Sequence, residues 1–66
     1  MGFRGIEMNR YYVTEYQDQI TDEYVVLNTP EVIHAEQGCV QCAISKYTEL
    51  HPDRWTFHGA VTEESK

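Results

Sequence analysis

The 66-residue sequence predicts an α+β domain: a three-stranded antiparallel sheet with one helix packed on one face, in the order β-β-α-β. Three observations predict it. Two runs rich in aromatic and β-branched residues flank a polar loop, a stretch with helix-start signals follows, and an alternating run comes near the end.

The first run is "RYYVTEY", residues 10–16, and the second is "EYVVLN", residues 23–28. Both compositions suit strands. "QDQITD" between them is polar enough to turn, so the pair reads as an antiparallel hairpin. Its loop is longer than a two-residue turn, because neither Asn-Gly nor Asp-Gly is present. In "NTPEV" Thr29 can cap a helix, Pro30 suits the first helical position, and Glu31 favours the positive end of the dipole. At the helical period Val32, Ala35, Cys39, Val40, Ala43, Tyr47 and Leu50 share one face, and His34, Gln41, Ser45 and Thr48 lie opposite. Pro52 disfavours helix at His51, so the helix is expected to stop near Leu50. Gly38 and Glu36 dissent, the first as a weak helix former and the second as a charge inside the apolar face. They keep an alternative open: "VIHAE" and "CVQCAI" as strands joined at Gln37-Gly38, in a small five-stranded barrel. In "RWTFHGAVT", residues 54–62, Trp55, Phe57 and Val61 face one way and Thr56, His58 and Thr62 the other. Residues 1–9 read as a loose lead-in, 10–62 as a single small domain, and 63–66 as a solvated tail.

Composition narrows the function. A hydrophobic share of 41%, with five Tyr, two Phe and one Trp, is that of a globular chain. A core of this size supplies about 3–5 kcal/mol, so a partner or a second copy is expected to help hold it. There is little room for a pocket of about 300 Å³, and an enzyme is not expected. The longest apolar run, "YVVL", is four residues, too short to cross a membrane. The lead-in lacks the apolar core of a signal peptide, which gives a cytoplasmic location and reduced thiols as expectations.

The net charge of −6 comes from one half of the chain. Between Tyr11 and Ser45 there is no Lys or Arg, while Glu15, Asp18, Asp22, Glu23, Glu31 and Glu36 all fall there. Elsewhere five acids balance five bases. Such a surface repels phosphate backbones and attracts basic partners, so direct nucleic-acid binding is not expected.

"QGCVQCAIS", residues 37–45, holds both cysteines. In the helical reading they sit mid-helix on the apolar side and pack as small hydrophobes. Zinc requires four ligands, and His34, His51 or His58 would have to complete the set. A redox dithiol requires its first cysteine at a helix N-terminus, a condition met only if Gly38 breaks the helix and Cys39 begins a new one. His51, Asp53 and His58 have no nucleophile placed for them, and neither a phosphate loop nor a carboxylate pair in a cleft is present. No catalytic residue and no cofactor is assigned.

The feature that points to function is the acidic hairpin. Glu15, Asp18, Asp22 and Glu23 cluster around its loop, with Tyr11, Tyr12, Tyr16 and Tyr24 on its strands. One face of so small a core cannot bury four tyrosines. Those left outside, ringed by carboxylates, match the aromatic anchor and charged rim of an interface. Glu15, Tyr16, Asp18, Asp22, Glu23 and Tyr24 are the expected partner-binding residues.

Over residues 10–62, in the order of "YYVTEY", "TPEVIHAEQ" and "RWTFHGAV", the small size, acidity and hairpin–helix–strand pattern resemble the small acidic phage-encoded inhibitors of host machinery, both anti-CRISPR proteins and the T7-type inhibitor of bacterial RNA polymerase. The resemblance implies a non-catalytic, DNA-mimicking or site-blocking inhibitor whose partner is a host or defence protein with a basic surface. It transfers no residue role. The alternatives from the residues are a zinc-binding structural module using Cys39, Cys42, His51 and His58, and a self-associating subunit, a homodimer, paired through an exposed strand edge.

Overall fold

The computed structural model describes residues 7–65. Residues 1–6 of the expected lead-in and Lys66 of the expected tail lie outside them. Two strands form a long hairpin, β1 (Met8–Asp18) and β2 (Tyr24–Glu36). The helix α1 (Val40–Leu50) follows, then the short strand β3 (Arg54–Trp55), one 3₁₀ turn (His58–Ala60) and β4 (Val61–Glu63). β1 is central and antiparallel to all its partners. β2 lies along one edge, and β3 and β4 share the other, at Gln17–Asp18 and Tyr11–Val13. The sheet is open and three positions wide, with the helix on one face: the α+β arrangement expected, and not a closed barrel.

The hairpin alternates as strands must. On the inner face Tyr11, Val13 and Tyr16 of β1 and Ile33 and Ala35 of β2 are buried. Ala43, Ile44 and Tyr47 of α1 and Val61 of β4 complete that core, and Val25, Leu27, Val40 and Cys42 pack against it. The register breaks between Val13 and Glu15. There β1 advances two residues while β2 runs from Glu31 back to Val26, five positions. Pro30 lies within this irregular stretch, on a strand that among the described residues pairs only with β1. An edge or a register break is where a residue without an N–H donor is tolerated.

The helix expected from Thr29 onwards is corrected over its first half, since α1 begins only at Val40. Residues 30–36 are strand, because Val32 and Ile33 are β-branched and because Ile33 and Ala35 face the core while Val32, His34 and Glu36 face out. Their pairing partners are Met8–Val13, so Met8 and Asn9, expected in the lead-in, belong to the sheet. The helix begins only after Gly38, whose φ of +78° is open to glycine and costly to other residues. Tyr11 fixes that turn from below. Its buried hydroxyl donates to the Glu36 carbonyl at 2.6 Å and accepts from the Cys39 N–H at 3.0 Å. At the other end α1 stops at Leu50, as Pro52 demands, and the His51 N–H returns to the Tyr47 carbonyl.

The last strand is corrected too. "RWTFHGAVT" is two short strands separated by the 3₁₀ turn, and Trp55 and Phe57 do not share a face with buried Val61. Between them Thr56 points inward at 1% exposure, and its hydroxyl donates to the Glu15 carbonyl at 2.9 Å. A side chain thus satisfies the backbone acceptor beside the register break. The tail also starts later than expected. Glu63 lies in β4, the Glu64 N–H donates to the Arg10 carbonyl, and the Glu64 carboxylate accepts from Tyr12 and pairs with Arg10.

Candidate functional site

Because cross-strand partners share a face, the hairpin register defines its outer surface. Gln17 stands opposite both Tyr24 and Trp55, Glu15 opposite Val26, and Tyr12 opposite Val32. Side chains directed away from the helix therefore include Tyr24, Val26, Val32 and Trp55, all half or more exposed or nearly so: 55%, 67%, 47% and 50%. Phe57 joins them. Its ring stacks on Tyr24, with centroids 6.1 Å apart and planes 21° from parallel, and lies 5.6 Å from Trp55. Three aromatic rings in contact on an open sheet face form a patch of the kind that marks interaction sites.

Carboxylates border the patch on its hairpin-loop side. The Tyr24 hydroxyl donates to Glu15. The loop is built around Asp18, whose carboxylate accepts the Ile20 and Thr21 N–H groups at 2.8 and 3.2 Å. Such an aspartate-centred turn holds its own backbone. Gln17 donates to Asp22 at 2.9 Å, Asp22 adopts φ +67°, and the Asp18 N–H closes the loop on the Glu23 carbonyl. The Gln19 N–H is tied to the Asp53 carbonyl, which docks the loop on the turn before β3. Exposed Ile20, at 74%, caps the tip.

Of the six residues expected to bind a partner, five lie at this end of the hairpin's open surface: Glu15, Asp18, Asp22, Glu23 and Tyr24. Tyr16 does not. It is buried on the inner face against Tyr47, with the Arg54 guanidinium 4.2 Å from its ring centre. Arg54 donates to Glu31 at 3.0 Å and to the Tyr47 hydroxyl at 3.2 Å, and the second Glu31 oxygen lies 3.3 Å from His51. Burial pushes the Tyr47 hydroxyl up to about 12, with the Arg54 hydrogen bond opposing it. This cluster joins β2, α1 and β3 on the helix side of the sheet, so Tyr16 is core.

Trp55, Phe57 and Val26 belong to the patch and were not among the expected residues. The i, i+2 spacing of Trp55 and Phe57 carries the signal that they project together. Which side they project to was decided by Thr56 turning inward.

The zinc set is not assembled. Cys39 and Cys42 are joined as a disulfide, His51 is held by Glu31, and His58 shares a hydrogen bond with Gln41 at 3.1 Å. Among the described residues no group of three or more His, Cys, Asp and Glu could hold a metal ion. The disulfide also overturns the expectation of reduced thiols packed mid-helix: Cys39 is the N-cap of α1 and Cys42 lies in its first turn. A shallow recess of about 180 Å³ is lined by Met8, Asn9, Arg10, His34 and Glu64. No described helix is long and apolar enough to cross a membrane. No protein-family model, curated protein or solved structure matches the chain.

Proposed function

We propose that the protein is a non-catalytic binding protein that inhibits a nucleic-acid-handling partner, such as a CRISPR effector or an RNA polymerase, by engaging its basic surface. The observation that carries this reading is the exposed Tyr24–Phe57–Trp55 cluster on the outer sheet face, bordered by the carboxylates of the Asp18–Glu23 loop and Glu15. Aromatic rings supply contact area at low entropic cost, and the acids supply steering and register against Arg and Lys. Where those bases normally hold phosphate, the acidic loop competes with nucleic acid for them. The place of action on this reading is the cytoplasm, that of the host cell if the chain is phage-encoded. The proposal rests on chemistry and on pattern resemblance.

The test is capture of partners from a bacterial lysate by the tagged chain at low and high salt. Glu15→Lys/Glu23→Lys and Trp55→Ala serve as controls whose fold is checked by circular dichroism. Asp18 and Asp22 are left intact because they hold the loop. The expected result is a nucleic-acid-handling complex recovered at low salt, weakened at least tenfold at high salt, and lost with both variants. Equal recovery by the charge-reversed variant sinks the proposal. A second reading, self-association, is favoured by β2, a thirteen-residue strand that among the described residues is paired on one edge only. A sedimentation coefficient that does not change with concentration would dispose of it.

A further inference from the structure

The Cys39–Cys42 bridge lies beyond the Glu36 end of β2, at the opposite end of the hairpin from the acidic loop, and the binding reading makes no use of it. From its placement we infer that it is a redox-active pair that exchanges with a partner's dithiol through Cys39.

The location of the bond says what it does not do. With two residues between its cysteines it closes a very short loop, and the entropic stabilisation a disulfide gives shrinks with loop length. It also joins the N-cap of α1 to the first turn of the same helix, so it fastens no element to another. The turn itself is already held by Tyr11, by the Gly38 N–H on Glu63 at 2.9 Å, and by the Gln37 N–H on the Glu7 carbonyl. Opening the bridge removes no tie that the fold depends on.

The same location suits sulfur chemistry. Cys39 Sγ accepts the Cys42 N–H at 3.1 Å, a first-turn donor that it shares with the Cys39 carbonyl. Such a donor and the positive end of the helix favour a thiolate over a thiol. The Glu63 carboxylate, which accepts from the Gly38 N–H next to Cys39 and from the Asn9 side-chain amide, opposes this from β4. The two sulfurs are not equivalent. Both are half-buried, but Cys42 packs against the core, whereas Cys39 lies outside that cluster and caps the helix next to the exposed Gln37–Gly38 turn. Cys39 is therefore the sulfur an incoming thiolate reaches, and Cys42 is the resolving partner.

The exchange balances as follows. A thiolate of the partner's dithiol attacks Cys39 Sγ, a mixed disulfide forms, and the Cys39–Cys42 bond breaks. Cys42 leaves as a thiolate and takes a proton from water. The partner's second thiol, losing its proton to water, attacks its own sulfur in the mixed disulfide and releases Cys39. Two electrons pass from the partner dithiol to the bridge, and the reverse sequence oxidises the pair again.

The experiment uses the full chain, dithiothreitol and oxidised glutathione. Native protein in millimolar dithiothreitol is expected to open the bridge with its far-ultraviolet circular dichroism unchanged. Brief iodoacetamide treatment of that reduced protein should label Cys39 at least tenfold faster than Cys42, read by peptide mass. Cys42→Ser should form a mixed disulfide with glutathione at least tenfold faster than Cys39→Ser. The labelling of unmutated protein keeps the test valid should a variant fail to fold. A bridge that opens only with denaturant, or equal or reversed labelling of the two sulfurs, overturns the inference.

Discussion

The two faces of the hairpin are built from the same kinds of residue and have opposite fates. On the inner face Tyr11 and Tyr16 are 0% and 8% exposed, under α1. On the outer face Tyr24 is 55% and Trp55 50% exposed, each ring against that of Phe57, with no described element covering them. Neither composition nor hydrophobicity separates the two sets. Strand parity does, with its phase reset at the register break between Val13 and Glu15 so that Tyr11 and Tyr16 share a side five residues apart, and among the described residues only one side has a helix. One set of aromatic residues holds the fold and the other is left available for contact.

The largest expected effect breaks the inner face. Tyr11→Ala removes a fully buried ring and the hydroxyl that ties β2 to α1, at a cost of about 3–5 kcal/mol. That matches the whole stability expected of so small a core, about 3–5 kcal/mol. Urea titration at 25 °C should find the variant largely unfolded in buffer. A cooperative transition near the wild-type midpoint would show that Tyr11 is not central.

The next effect titrates that face. The Tyr47 hydroxyl is raised from its ordinary value near 10 to about 12, chiefly by burial. The unfolded chain therefore loses this proton first as pH rises. The contribution is fully present below pH 10 and is lost as pH climbs from about 10 to about 12, amounting to roughly 2 kcal/mol. Urea midpoints at pH 9 and pH 11.5 should show the loss, and Tyr47→Phe should reduce it. An equally steep alkaline loss in Tyr47→Phe would assign it to other groups.

The smallest effect on stability belongs to the outer face. Tyr24→Ala should change the stability read from urea unfolding by less than about 0.5 kcal/mol, as surface substitutions do, while partner capture falls with it. A loss of stability comparable to that of Tyr11→Ala would make the outer cluster structural and erase the contrast.

How legible this was varies along the chain. "RYYVTEY" and "EYVVLN" are recognisable as a hairpin because β-branched and aromatic residues flank a polar loop with no competing helical period. The helix end at Leu50 is equally plain, since Pro52 acts through local sterics. The stretch from Thr29 to Gly38 misleads. Thr29, Pro30 and Glu31 are sound start signals for a helix, and Val32, Ala35 and Cys39 fit its period. Pairing with Met8–Val13 overrides them, and no residue in the stretch itself carries information about that distant partner. Gly38 was the local sign of the true boundary, and the standing of Cys39 as cap or mid-helix residue turned on it.

The candidate site divides in the same way. The acids of the loop lie close together in sequence, so Glu15, Asp18, Asp22 and Glu23 could be grouped without a fold. The sequence by itself determined the hairpin, the single helix ending at Leu50, the acidic loop and the C-x-x-C spacing, because each depends on residues within a turn or two of one another. Only the tertiary structure decided that Tyr16 goes inward, that Tyr24, Phe57 and Trp55 meet outside, and that Cys39 begins a helix. Those outcomes depend on register between strands and on which sheet face the helix covers, and both are set by contacts between segments tens of residues apart.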